Sequence, residues 1–178
     1  MMLSAEFLIK SVPHDWSNIL WGYKNRLIGW HTPIDIAKAR LDAGLPHEEL
    51  ENELAHLGKD EDWKVGEILT ILASRKHVLE DIIKRRWLFL VLLWLYQNRD
   101  QEIALFDKLG EVYADFDYPD EISSFVPFMP PEDGYDPTTH TLAENHNRIL
   151  GKWKEYLDTA ELSNFHRASL TLVRVILC

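Results

Sequence analysis

Residues 87–96 read WLFLVLLWLY, an unbroken run of apolar and aromatic side chains. No other segment constrains the fold as tightly. A helix that spans a bilayer needs about 20 such residues, so this run is too short to cross one. A surface helix shows a polar face every three or four residues, and here there is none. The run predicts a helix buried on most sides, extending over about residues 77–98. The rest of the chain must supply the elements that cover it.

Those elements read as helices. Trp16, Ile19, Leu20, Tyr23 and Leu27 recur at helical spacing, with Asp15 placed to cap their N-terminus. Thr32-Pro33 is a start signal for a second helix, which Gly44 stops. Pro46 opens another, with Leu50, Leu54 and Leu57 on one stripe and Gly58 at its end. Asp60 is placed to cap a helix whose buried stripe is Val65, Ile68, Leu69 and Leu72. Leu105, Leu109, Val112 and Phe116 make a further stripe, ended by Pro119, which itself can start a short helix through Phe125. Thr139 or Thr141 caps the last strong helix, with Leu142, His146, Ile149, Leu150, Trp153 and Leu157 on one face.

Strand signals are weak, because no alternating segment is paired with a hairpin turn. The exception is SLTLVRVIL near the C-terminus, rich in β-branched residues, which reads as a short terminal strand or an unstructured end. The expected fold is therefore all-α, with seven to eight helices in a single helical domain over residues 1–160 and a tail over 161–178. Residues 126–139, VPFMPPEDGYDPTT, form its one long irregular loop. Four prolines exclude a regular helix, and Phe128, Met129 and Tyr135 are expected to pin the loop to the helical body.

Cysteine and charge bound the function. The only cysteine is Cys178, so no internal disulfide can form, which suits a reducing cytoplasm. The N-terminus has neither the basic start nor the apolar core of a signal peptide. The net charge of −10 is concentrated: residues 109–147 hold nine acidic residues and no lysine or arginine. Such a chain is a poor ligand for phosphate backbones, which argues against nucleic acid. It is a reasonable ligand for something basic.

Catalytic signatures are absent. There is no nucleophile elbow, dinucleotide-binding glycine motif or phosphate loop. His140, Glu144 and His146 in HTLAENH do not have the spacing of a zinc motif, and a loop or capping role for His140 is the plainer reading. Glu53 and His56 make a single E-x-x-H pair, where a di-iron bundle needs two. Glu48, Glu49, Glu51 and Glu53 read together as a solvated acidic helix face. Asp115, Asp117, Asp120 and Glu121 lack the spacing and glycine of a calcium loop. Among the seven tryptophans, Trp21 and Trp30 lie off the main stripes and are the expected surface aromatics. LWGYKNR at 20–26 and LWLYQNR at 93–99 share five letters at equal offsets, which would fit a duplicated helical unit.

The segments LWGYKN, WKVGEIL, WLFLVLLWLYQNRD, YADFDYP and MPPEDGYDP, with EN, W and YL downstream, resemble a bacterial domain-of-unknown-function family of small acidic helical proteins. The resemblance covers residues 3–157, and the chain departs from it from about Ser163. It implies a small cytoplasmic bacterial protein. It carries no known reaction and assigns no catalytic residue.

The function favoured by the sequence is a non-enzymatic protein-binding module, with no cofactor, nucleic acid or membrane involved. Its acidic, aromatic surface would neutralise a basic partner, as an immunity-type inhibitor does to a toxin domain. Asp115, Asp117, Asp120, Glu121, Glu132, Asp133 and Asp136 would supply charge. Tyr118 and Tyr135 would supply anchoring area. Two alternatives stand beside it: a metal-dependent enzyme with ligands around His140, Glu144 and His146, and a helical scaffold built on the LWxYxNR repeat.

Overall fold

The computed structural model describes residues 2–11 and 15–176, with side chains as far as Ala160. Among the described residues the regular structure is entirely helical: nine α-helices, two short 3-10 turns and no strand. The fold class expected from the helical stripes is the one observed. No described helix is long and apolar enough to cross a membrane. Contacts group the chain into two compact units, residues 1–90 and 91–178.

Unit 1 contains α1 (Ala5–Ser11), α2 (Trp16–Lys24), α3 (His31–Asp42), α4 (Glu49–His56) and α5 (Lys64–Ser74), together with the first part of α6 (Glu80–Gln97). Asp15 caps α2 as its position suggested, its carboxylate accepting the Asn18 N–H at 3.0 Å. α2 packs on α5 and α3 on α4. The stripe Val65, Ile68, Leu69 and Leu72 is buried throughout. α1 escapes the sequence reading because it is only two turns long, too short to display a stripe. It is anchored by Leu3 and Leu8, both buried.

Several helix starts differ from expectation. α3 begins at His31, so Thr32 is not its cap; Thr32 and Pro33 lie inside the first turn, where proline's missing N–H costs nothing. α4 begins at Glu49 rather than at Pro46, and Asp60 sits in a 3-10 turn over Lys59–Glu61 instead of capping α5. α6 begins at Glu80, three residues after His77.

The acidic face of α4 is also corrected. Glu51 is only 5% exposed, and its carboxylate accepts from the Arg40 Nε of α3 at 3.0 Å. Arg40 in turn lies over the Trp16 ring. A buried carboxylate needs such a partner, since an unpaired one would carry a heavy desolvation cost. Among the tryptophans, Trp63 is the exposed one, at 63%. Trp21 is half-buried and stacked near Trp87, and Trp30 stacks on His31.

Unit 2 holds the end of α6, then α7 (Leu105–Asp115), α8 (Asp120–Ser123), a 3-10 turn over Pro137–Thr139 and α9 (Leu142–Ile176). Leu105, Leu109, Val112 and Phe116 are buried as their spacing predicts. Trp153, fully buried, stacks on Phe125 and meets the edge of Tyr96. Thr141 caps α9 in a reciprocal box: its N–H and hydroxyl donate to Glu144, while the Glu144 N–H donates back to the Thr141 hydroxyl.

The short terminal strand is not found. The helix of α9 is continuous to Ile176, so the backbone over 165–176 is helical. β-branched residues lower helix propensity by only tenths of a kcal/mol each, about 0.7 at most, and a helix already nucleated can absorb that. Cys178 lies outside the described residues.

Candidate functional site

The acidic region begins where α7 stops. Phe116 is its C-cap. The Asp117 N–H then donates to the Ala114 carbonyl and the Tyr118 N–H to the Tyr113 carbonyl, at 3.1 and 2.8 Å. This paired closure normally uses a glycine in the left-handed region. Here Asp117 and Tyr118 both occupy that region, with φ of 63° and 56°. For non-glycine residues the conformation costs roughly 1–2 kcal/mol each. The Tyr118 ring packs edge-on against Tyr113 yet stays 61% exposed. Pro119 turns the chain into α8, whose first turn carries Asp120 and Glu121, both exposed.

The second acidic group lies on the proline-rich loop, which is fastened to α9. The Asp133 carboxylate accepts from the Arg148 guanidinium at 2.5 and 2.7 Å and from the Lys152 ammonium at 2.8 Å. The Tyr135 hydroxyl donates to Asn145 Oδ1 at 2.8 Å, and the Asn145 amide donates to the Pro137 carbonyl at 3.0 Å. The Tyr135 ring meets Arg148, 4.2 Å from its centroid, and stacks with His140, at 4.4 Å. These bonds fasten the loop to α9 through Asp133, Tyr135 and Pro137, whereas Phe128 contributes less than expected. Its ring sits 6.0 Å from Tyr113 and remains 64% exposed.

The absence of counter-charge in residues 109–147 does not carry over to space. Lys152, then Arg148, hold the Asp133 carboxyl well below its usual range. Hydrogen bonds from Thr138 lower Asp136, which caps the 3-10 turn, and Thr141 lowers Glu144. For Asp133 the linkage sign is that of a depressed carboxyl. Its contribution to holding the loop is complete above the unfolded value near 3.9 and is lost only as pH falls through the lower folded value.

Arg148, Lys152 and Tyr156 follow the acidic window at a spacing of four, which puts them on one stripe of α9, a signal that charge summed over the window misses. Asp133 meets the first two, and Glu121 accepts from the Tyr156 hydroxyl at 3.5 Å. The two acidic groups thus reach the same face of α9, within about 12 Å along its axis. The carboxylates of Asp115, Asp120 and Glu132 are exposed and make no hydrogen bond or ion pair among the described residues.

The structure does not bring His140, Glu144 and His146 together. His140 belongs to the Tyr135 stack, Glu144 to the cap of α9, and His146 packs at a tilt against Phe106 at 4.2 Å. Among the described residues no group of three histidine, cysteine, aspartate or glutamate side chains is placed to hold a metal. The His56 ring nitrogen likewise meets the Asn52 carbonyl at 2.8 Å.

A family model describing an uncharacterized protein conserved in bacteria, DUF2247, matches residues 5–161. The chain belongs to that family. Its match spans both units and ends where the sequence departs from the pattern quoted above. No curated protein and no solved structure matches the chain. Membership of DUF2247 brings no activity with it.

Proposed function

We propose that unit 2 presents a protein-binding surface for a basic partner, centred on Asp115, Tyr118, Asp120 and Glu121, with Asp117 and Glu132 at its margin. The observation that carries this reading is Tyr118. It is a large aromatic, 61% exposed, held on two successive left-handed residues and bordered by carboxylates on both sides. Exposed rigid aromatics make interface anchors. Carboxylates around one raise the association rate with a basic surface and favour it over neutral competitors. Asp133, Tyr135 and Asp136 take a different part: they hold the loop against α9 instead of meeting the partner with free charge. An immunity-type inhibitor of a basic toxin domain is the most specific form of this function, and a toxin gene beside this one would support it.

The test compares the protein with its Asp115→Lys/Asp120→Lys/Glu121→Lys variant as capture reagents for bacterial lysate, followed by titration of the purified partner. A basic protein should be retained by the first and lost by the second, with affinity weakened at least tenfold, about 1.4 kcal/mol. Binding should also fall steeply with salt. A partner that binds both forms equally, affinity indifferent to salt, or no basic partner at all would overturn the proposal.

A further inference from the structure

Unit 1 contains an open groove of about 440 Å³ between α2, the end of α5 and the turn that leads into α6. It shares no residue with the surface proposed above. Leu20, Trp21, Val78 and Ile83 give it an apolar lining. Ser17 fixes its width, because its hydroxyl lies 3.2 Å from the Ala73 carbonyl and 2.9 Å from the Lys76 carbonyl and ties α2 to the end of α5. The groove is therefore held in shape by the protein's own bonds.

Its charge runs against that of the chain. Lys24 and Lys76 line it, and neither ammonium has a hydrogen bond or ion pair among the described residues. His77 adds a third nitrogen base, and Glu80 is the one carboxylate on the wall. In a chain of net charge −10, two unpaired cations over an apolar lining mark a local inversion of sign. Ligand sites of about 300–1,000 Å³ combine an apolar lining with a few polar groups that fix orientation.

We infer that this groove binds a small amphipathic carboxylate, its apolar body over Trp21 and Leu20 and its acid group between Lys24 and Lys76. Lysine ammonium groups attract such an anion as point charges, without demanding one bidentate geometry.

Decanoate and decanol are suitable probes, since they share an apolar chain and differ in charge. Calorimetry on the full chain should show saturable one-to-one binding of decanoate, at least tenfold tighter than decanol. Lys24→Gln/Lys76→Gln should weaken decanoate about tenfold and leave decanol unchanged. Equal affinity for the two probes, no saturable binding of decanoate, or a double variant that binds it as well as the parent would each overturn the inference. The comparison of the two probes on the parent protein decides the matter even if the double variant does not fold.

Discussion

The two segments LWGYKNR and LWLYQNR end helices α2 and α6 at the same offset, at Lys24 and Gln97. In each, the Asn side chain donates to the Trp carbonyl four residues back, Asn25 to Trp21 at 2.9 Å and Asn98 to Trp94 at 2.8 Å. In each, the Arg N–H then turns back to the Tyr carbonyl, at 3.1 and 3.5 Å. The shared asparagine marks a helix stop, its side chain adding a second bond to a Trp carbonyl that its own backbone N–H already meets, at 3.0 and 3.1 Å. That accounts for the likeness without a duplicated scaffold unit. The segments differ at their buried middle position. Gly22 lets the Trp87 ring lie against the helix backbone, whereas Leu95 fills its own space with a fully buried side chain. They differ again at the end, where Arg26 is left-handed and Arg99 is not. Local chemistry decides that a helix stops; the neighbour packed against it decides which side chain is tolerated there.

The middle position gives the largest expected effects. Leu95→Ala should cost about 2–5 kcal/mol, through lost burial and the cavity left behind. Gly22→Ala should cost toward the upper end of about 1–3 kcal/mol although it adds only one methyl. Its Cβ would lie 2.0 Å from Trp87, whose ring is fully buried and whose indole N–H donates to the Asn18 carbonyl at 2.9 Å. Urea unfolding of both variants measures this. If Gly22→Ala stabilises the protein, as it would in an open helix, Trp87 does not hold the position claimed for it and the contrast fails.

How much of this was legible in the sequence follows from distance along the chain. The stripe of α7 and the Asp15 cap join residues close along the chain and show in the sequence, whereas Thr139 and Thr141 stand equally placed to cap α9 until the bonds to Glu144 single out Thr141. The apolar run inside α6 was equally plain. What escaped joins distant segments. Asp133 is neutralised from 15 and 19 residues away, and Glu51 is buried by an arginine 11 residues earlier. Charge summed over a window registers neither pairing. The neighbours of Tyr118 suggest an anchor, while its left-handed backbone depends on the fold that closes α7.

The asparagines sharpen the comparison at a smaller scale. Asn25→Ala and Asn98→Ala should each cost about 0.5–1.5 kcal/mol, the net worth of one hydrogen bond. Asn98 is half-buried and Asn25 exposed, so the second variant should lose more, because water replaces the bond less well there. Chemical denaturation of the two variants settles the order. Equal and negligible losses would mean that the shared asparagine is not what stops these helices.

The smallest effect is the most diagnostic, because its sign should reverse between the two segments. Arg26 has a φ of 58°, and its place in the turn is fixed by the Leu27 N–H, which donates to the Gly22 carbonyl at 2.9 Å. Glycine there relieves a left-handed strain of about 1–2 kcal/mol. It also frees the unfolded chain, which returns about 0.4–1 kcal/mol of that gain. Arg26→Gly should therefore stabilise the protein by up to about 1 kcal/mol. At Arg99 there is no such strain to relieve. Its guanidinium donates to the Tyr96 carbonyl at 2.8 Å and lies 4.6 Å from the Tyr96 ring centroid, contacts that glycine removes. Arg99→Gly should lower stability by about 1 kcal/mol, the bond and the added chain freedom acting in the same direction. Thermal melts of the two glycine variants read the signs directly. If both shift the same way, the left-handed residue at the end of α2 does not distinguish the two stops, and the likeness of the segments extends further than their hydrogen bonds.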